Sequence, residues 1–125
     1  MPPSLAAGAY TAIRHLKFSS SERVKQRKVV ENLKKSLRRE SISFLDHGSH
    51  IIPVVIGDAK LCKQASNLLL DNHDIYIQPI NYPTVPIGTE RLRLSPTPLH
   101  TNEMILKLVE SLKSVFKELN IKKAA

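Results

Sequence analysis

Apolar residues recur at helical spacing in four stretches of the chain and alternate with polar ones in shorter stretches between them. Residues 4–17 are alanine-rich, with Ile13 and Leu16 on one side, and predict a first helix. Ser19, Ser20 and Ser21 either interrupt the helical pattern or cap the next helix. From Glu22 to Arg39 the apolar positions are Val24, Val29, Val30, Leu33 and Leu37, one stripe on a second helix with a wide basic face. Residues 51–56 are a short β-branched run ending at Gly57 and predict a buried strand, with Pro53 near its start or on a free edge. Asp58 is placed to cap a third helix through about Asp71, with Leu61, Ala65, Leu68 and Leu69 on its core side and Cys62 among them. Alternation at residues 74–78 predicts a second strand, and alternation at 91–95 a third. Thr101 or Asn102 starts a last helix whose core face runs from Met104 through Ile105, Leu108, Val109, Leu112, Val115 and Phe116 to Leu119.

The order is helices, then β-α-β-loop-β-α. This predicts the α+β class: a small, mostly antiparallel three-stranded sheet with helices packed on one face. Residues 1–40 read as a long helical segment leading into it and residues 41–125 as the small α+β domain itself. At 125 residues the chain can enclose a core. The longest apolar runs fall far short of the ~20 residues that a membrane span needs. One cysteine, Cys62, excludes an internal disulfide and a cysteine-built metal cage. Met1-Pro2-Pro3 does not open a secretory leader, and Glu22, Glu31 and Glu40 fit a mitochondrial presequence poorly.

The net charge of +8 invites a nucleic-acid reading, but ten of the Lys and Arg residues, against three Glu, lie in the first forty positions. Eight of those basic residues lie between Arg23 and Arg39, where they read as a solvated helix face: no aromatics interleave them for base stacking. No glycine-rich phosphate loop, zinc-binding HExxH or GxSxG elbow is present, and the five histidines are scattered. Asp46 beside His47 carries no recognisable signal.

The chemistry concentrates between residues 79 and 95. Three prolines and a glycine in 79–90 exclude a continuous helix or a central strand, and a stiff loop of this length in a small domain is more often functional than filler. Arg91 and Arg93 stand two apart on a strand, so their guanidinium groups share one face while Leu92 and Leu94 take the other. An Arg fork beside a rigid loop suits a carboxylate or phosphate. An exposed edge strand with surface ion pairs fits the same residues.

The block Ile80-Asn81-Tyr82-Pro83-Thr84-Val85-Pro86, followed by Gly88-Thr89-Glu90, Arg91-Leu92-Arg93, Pro96-Thr97-Pro98 and His100-Thr101, resembles the C-terminal portion of the 5-aminolevulinate synthases. Upstream, His50-Ile51-Ile52-Pro53-Val54, Gly57-Asp58-Ala59, and His73 with Ile75-Tyr76-Ile77-Gln78 resemble it in register, as do Pro2-Pro3, Gly8-Ala9 and Ile13-Arg14. These enzymes belong to the α-oxoamine synthases, and the NYPTVP block sets them apart from their relatives in that group.

The resemblance implies the small C-terminal domain of a fold-type I, pyridoxal-phosphate-dependent acyltransferase. Such an enzyme condenses glycine with succinyl-CoA, releasing CO2 and CoA and giving 5-aminolevulinate, the first precursor of haem and other tetrapyrroles. It implies that Arg93 holds the glycine carboxylate, that Thr84 contacts the succinyl chain, and that residues 79–90 form a mobile active-site loop. Ile87 stands where family members often carry Arg or Lys. The family's Schiff-base lysine sits in a Ser-Lys-Ala-Phe-Gly setting that occurs nowhere here. The cofactor is therefore expected in a large domain preceding Met1, and this chain alone should be inactive. Family members are homodimers, of the mitochondrial matrix in non-plant eukaryotes and of the cytoplasm in bacteria. The other reading is a non-catalytic module that docks on a full-length subunit or another partner.

Overall fold

The computed structural model describes residues 1–122. Four helices and three strands follow in the order α1 (Pro3–Phe18), α2 (Ser21–Arg39), β1 (Ile52–Val55), α3 (Ala59–His73), β2 (Gln78–Ile80), β3 (Arg91–Leu94) and α4 (Asn102–Glu118). The strands form one antiparallel sheet in the order β1-β3-β2. Helices α2, α3 and α4 bury one face of it, so the architecture is the expected α+β layer.

Local chemistry explains where the elements begin and end. Pro3 opens α1, where its missing N–H costs nothing. The serine run interrupts the helical pattern, and Ser20 makes no side-chain cap. Glu22 instead ties α1 to α2: its carboxylate accepts from Ser19 Oγ at 2.6 Å and from Ser21 Oγ at 3.1 Å, and lies 2.8 Å from His15 Nε2. The Ser19 hydroxyl, then His15, lower its pKa to about 2. Asp58 caps α3 by accepting the Leu61 amide at 2.8 Å, and Asp74 in the left-handed region (φ 57°) ends it. Thr101 is the cap of α4, accepting from the Met104 amide.

In β1, Ile52 and Val54 face Leu94 and Leu92 of β3. The Leu45 amide donates to the Pro53 carbonyl at 2.9 Å, which turns the main-chain groups of Pro53 away from β3. The proline therefore removes no rung of the ladder.

Two expectations are corrected. The second strand is not 74–78 but Gln78–Ile80. Burial still alternates through Ile75, Tyr76, Ile77 and Gln78, yet the Ile77 carbonyl accepts from Ser66 Oγ of α3 at 2.6 Å. Alternation in 74–77 thus reports packing against α3 rather than pairing with β3. The basic face of α2 is also not wholly solvated: Lys34 is 4% exposed. Its ammonium lies 2.7 Å from Asp46 and 3.9 Å from Glu31, and Arg38 reaches the other Asp46 oxygen at 2.9 Å.

Helix α2 contributes Val30, Leu33 and Leu37 to the same core as α3 and α4, whereas α1 buries no residue. Leu5, Tyr10, Ile13, Leu16 and Phe18 of α1 are all exposed.

The Asp46 pair predicts a pH response. The hydrogen bond from Lys34, then the Gly48 amide, holds the Asp46 carboxyl below its ordinary value. A depressed carboxylate stabilises fully above its unfolded pKa of about 3.9, and that stability drains away as pH falls through the lowered folded value. Thermal melts of this chain are expected to drop below about pH 4, and Asp46→Asn should flatten that drop relative to the unmodified protein.

Candidate functional site

Arg91 and Arg93 lie on the sheet face turned away from the helices, while Leu92 and Leu94 are buried beneath it. Cross-strand pairing fixes their neighbours: Arg93 lies between Pro53 and Gln78, and Arg91 between Val55 and Ile80. The two arginines differ in freedom. Arg91 is half-buried and its Nε donates to the Thr89 carbonyl at 2.9 Å. Arg93 is exposed and, among the described residues, its side chain has no hydrogen-bond or ion-pair partner. The side chain of Gln78 opposite it accepts from the Tyr76 hydroxyl.

Arg93 lines a cavity of about 430 Å³ between the end of β3, residues 74–77 and the first half of α4. Tyr76, Ser95, His100, Met104 and Lys107 line it with Arg93. The Thr97 amide donates to His100 Nδ1 at 2.9 Å, so in the neutral ring Nε2 carries the hydrogen.

Thr84 stands elsewhere. It is exposed in the hairpin loop between β2 and β3 and does not line the Arg93 cavity. Its amide donates to the Asn81 carbonyl at 2.9 Å, closing a turn around the cis Tyr82–Pro83 bond. The loop is tied at both ends. Asn81 Nδ2 donates to the Ala59 carbonyl at 3.3 Å, and Asn81 Oδ1 is buried without a partner. At the far end the Glu90 carbonyl accepts the Ile56 and Gly57 amides, both at 2.9 Å. Between these anchors Tyr82 and Ile87 project into solvent.

Cys62 is fully buried on α3. Burial foremost, with the negative charges of Glu90 and Asp58 adding to it, pushes its thiol up to about 11, so it is no nucleophile at neutral pH. Among the described residues no group of three or more His, Cys, Asp or Glu is placed to hold a metal ion. No helix of the described residues is long and apolar enough to cross a membrane.

The donor set does not fit a pyridoxal phosphate cradle. The N-terminus of α3 is capped by the Asp58 carboxylate, and the first turn of α4 carries Glu103, so the two helix starts nearest β3 already hold a negative charge where a phosphate would bind. Arg93 adds a single exposed guanidinium and no phosphate cup. Nothing in the sequence pattern marks Asn81 or His100 as residues of this region. A charged residue in phase with Leu92 and Leu94 was the available signal for Glu90.

The model of the aminotransferase class I and II family matches residues 1–112. The chain belongs to that family. It is 50% identical over 121 residues to 5-aminolevulinate synthase of Rickettsia conorii, covering 97% of this chain and 29% of that protein. It is 46% identical, again over 121 residues, to the mitochondrial 5-aminolevulinate synthase of Candida albicans, covering 97% of this chain and 22% of that one. A solved structure of SPT with its PLP internal aldimine superposes with a TM-score of 0.89 at 24% identity, over 98% of this chain and 31% of that one. The chain thus spans less than a third of the length of these relatives.

Proposed function

We propose that this chain is the C-terminal portion of a 5-aminolevulinate synthase, an enzyme that joins glycine to succinyl-CoA and releases CO2 and CoA. The observation that carries the reading is the unpartnered guanidinium of Arg93 on the open face of β3, within a block that resembles these synthases. Pyridoxal phosphate would come from the preceding part of the polypeptide and would supply the electron sink for the glycine carbanion. Arg93 binds and orients the glycine carboxylate. Loop 81–90, tied at Asn81 and Glu90, carries Thr84 to the succinyl side of the site and excludes water when it closes. The bare apolar residues of α1 and the open sheet face are the surfaces against which the rest of a homodimeric enzyme would pack. Residues 1–40 would then lead in from the large domain. The bacterial and mitochondrial relatives support the cytoplasm or the mitochondrial matrix as its place, according to source.

The Ser-Lys-Ala-Phe-Gly setting of the family's Schiff-base lysine does not occur in these 125 residues, so they are expected to be inactive by themselves. Mixed with pyridoxal phosphate and glycine, they should show no stoichiometric lysine-bound absorbance and form no 5-aminolevulinate. A single borohydride-trapped lysine at full occupancy would overturn this reading. The exposed apolar side of α1 also favours a second one, a module that docks on a full-length subunit. Co-purification with a full-length synthase would support that, and a monodisperse chain indifferent to it would exclude it.

A further inference from the structure

Glu90, the residue just before β3, breaks the pattern that the strand continues. Residues 90, 92 and 94 share the face of β3 turned to the helices, and Leu92 and Leu94 fill the core there. Glu90 occupies the first of these positions and is only 2% exposed. Burying a carboxylate is costly unless it is paired and hydrogen-bonded. Among the described residues no cation pairs with it. Its side chain turns back along the chain and accepts the Gly88 amide on Oε2 at 2.9 Å. Its own carbonyl accepts two amides at once, those of Ile56 and Gly57 just past β1. Gly57 and Gly88 both have positive φ, 83° and 87°. The position a Cβ would take on Gly57 lies 3.4 Å from the Gly88 carbonyl, so the two backbones meet there. One residue therefore fastens the end of the 81–89 loop to the end of β1, through main chain and side chain together. The Thr89 amide and hydroxyl both donate to the Pro86 carbonyl, at 3.1 and 2.7 Å, passing that constraint back towards Thr84.

We propose that Glu90 is the positioning residue of the loop: by holding the Gly88 amide, its buried carboxylate sets where Thr84 is presented to the acyl-CoA substrate. This rests on the synthase reading. It makes Glu90 a determinant of the acyl side of the reaction, separate from the glycine side served by Arg93. Acting through the loop, it touches neither substrate.

Two substitutions isolate the role. Glu90→Gln keeps an acceptor of the same reach, and Glu90→Leu keeps apolar bulk in the core without an acceptor. In the 125-residue chain, amide hydrogen exchange at Gly88 should accelerate about ten-fold or more in Glu90→Leu, while Leu112 and Val115 in α4 keep their protection. Glu90→Gln should stay within about three-fold of the unmodified chain at Gly88. In the holoenzyme containing this segment, Glu90→Leu should raise the KM for succinyl-CoA about ten-fold and leave the KM for glycine within about two-fold, with Glu90→Gln restoring most of the loss. Thr84→Val should move the same KM.

Unchanged exchange at Gly88, or equal acceleration at Leu112 and Val115, overturns the latch. Accelerated exchange with an unaltered succinyl-CoA KM overturns the presentation of Thr84. A holoenzyme that forms no 5-aminolevulinate before any substitution overturns the synthase reading itself, and the exchange at Gly88 tells that failure apart from failure of the latch.

Discussion

Replacing Arg93 with alanine in the holoenzyme is expected to cost about 2–5 kcal/mol of glycine binding, a rise in glycine KM of roughly 30- to 4,000-fold. The size is that of a charge pair with the substrate carboxylate, desolvated when the site closes, and the side chain does very little in the fold itself. It is exposed, lines the cavity at the end of β3 and has no protein partner among the described residues. Removing it should leave the stability of the chain within about 0.5 kcal/mol, the ordinary range for surface positions, so the loss is one of recognition. Arg93→Lys keeps the charge but not the planar fork, and should fall between the two. Arg91→Ala is the internal control: that guanidinium shares the face but is committed to the Thr89 carbonyl, and its loss should change glycine KM far less. Steady-state kinetics at varied glycine, with succinyl-CoA saturating, measures all three. An Arg93→Ala enzyme with unaltered glycine KM would remove the central assignment.

Much of this site was readable in the sequence because alternation and helical spacing report which side chains are buried. Leu92 and Leu94 went under the helices, and so Arg91 and Arg93 had to face outward. The same signal misled at residues 74–77, where alternation is real but the Ile77 carbonyl bonds Ser66 rather than a strand. Pairing depends on what lies alongside, which periodicity does not encode. Lys34 looked like one more cation on a solvated face, and Asp46, twelve residues away, looked inert. Their 2.7 Å contact arises only when the chain after α2 folds back. Glu90 is the same kind of case. A carboxylate next to a strand reads as surface, and its burial depends on two glycines with positive φ meeting across the gap between β1 and the loop. Thr84 shows a different limit. Family resemblance assigns Thr84 to the succinyl chain and Arg93 to the glycine carboxylate of one site, yet in this chain Thr84 lies outside the cavity that Arg93 lines, on a loop anchored at Asn81 and Glu90.

Phe116→Ala should be the most damaging single change to the fold itself, at about 3–5 kcal/mol. Phe116 is a fully buried side chain on α4, in one core with Leu112 and Val115 of its own helix, Leu33 and Leu37 of α2, and Leu69 of α3. Its carbonyl also accepts the Ile121 amide at 2.9 Å, after Asn120 turns the chain through the left-handed region (φ 52°), so the helix end closes over the same residue. Truncation to alanine removes a ring that neighbours on three helices cannot all move to replace. Domains of this size hold about 5–15 kcal/mol in total, so the variant would lose a large part of its margin. Phe116→Leu fills most of the space and provides a measurable intermediate if the alanine variant does not fold. Leu106→Ala, on the exposed side of the same helix, should stay within about 0.5 kcal/mol. Urea denaturation followed by far-ultraviolet circular dichroism would rank the three. The first half of α4 also lines the Arg93 cavity through Met104 and Lys107. A core loosened at Phe116 should therefore widen that wall and weaken carboxylate binding without any change to Arg93. Equal losses for Phe116→Ala and Leu106→Ala would mean that α4 is held by something other than this packing.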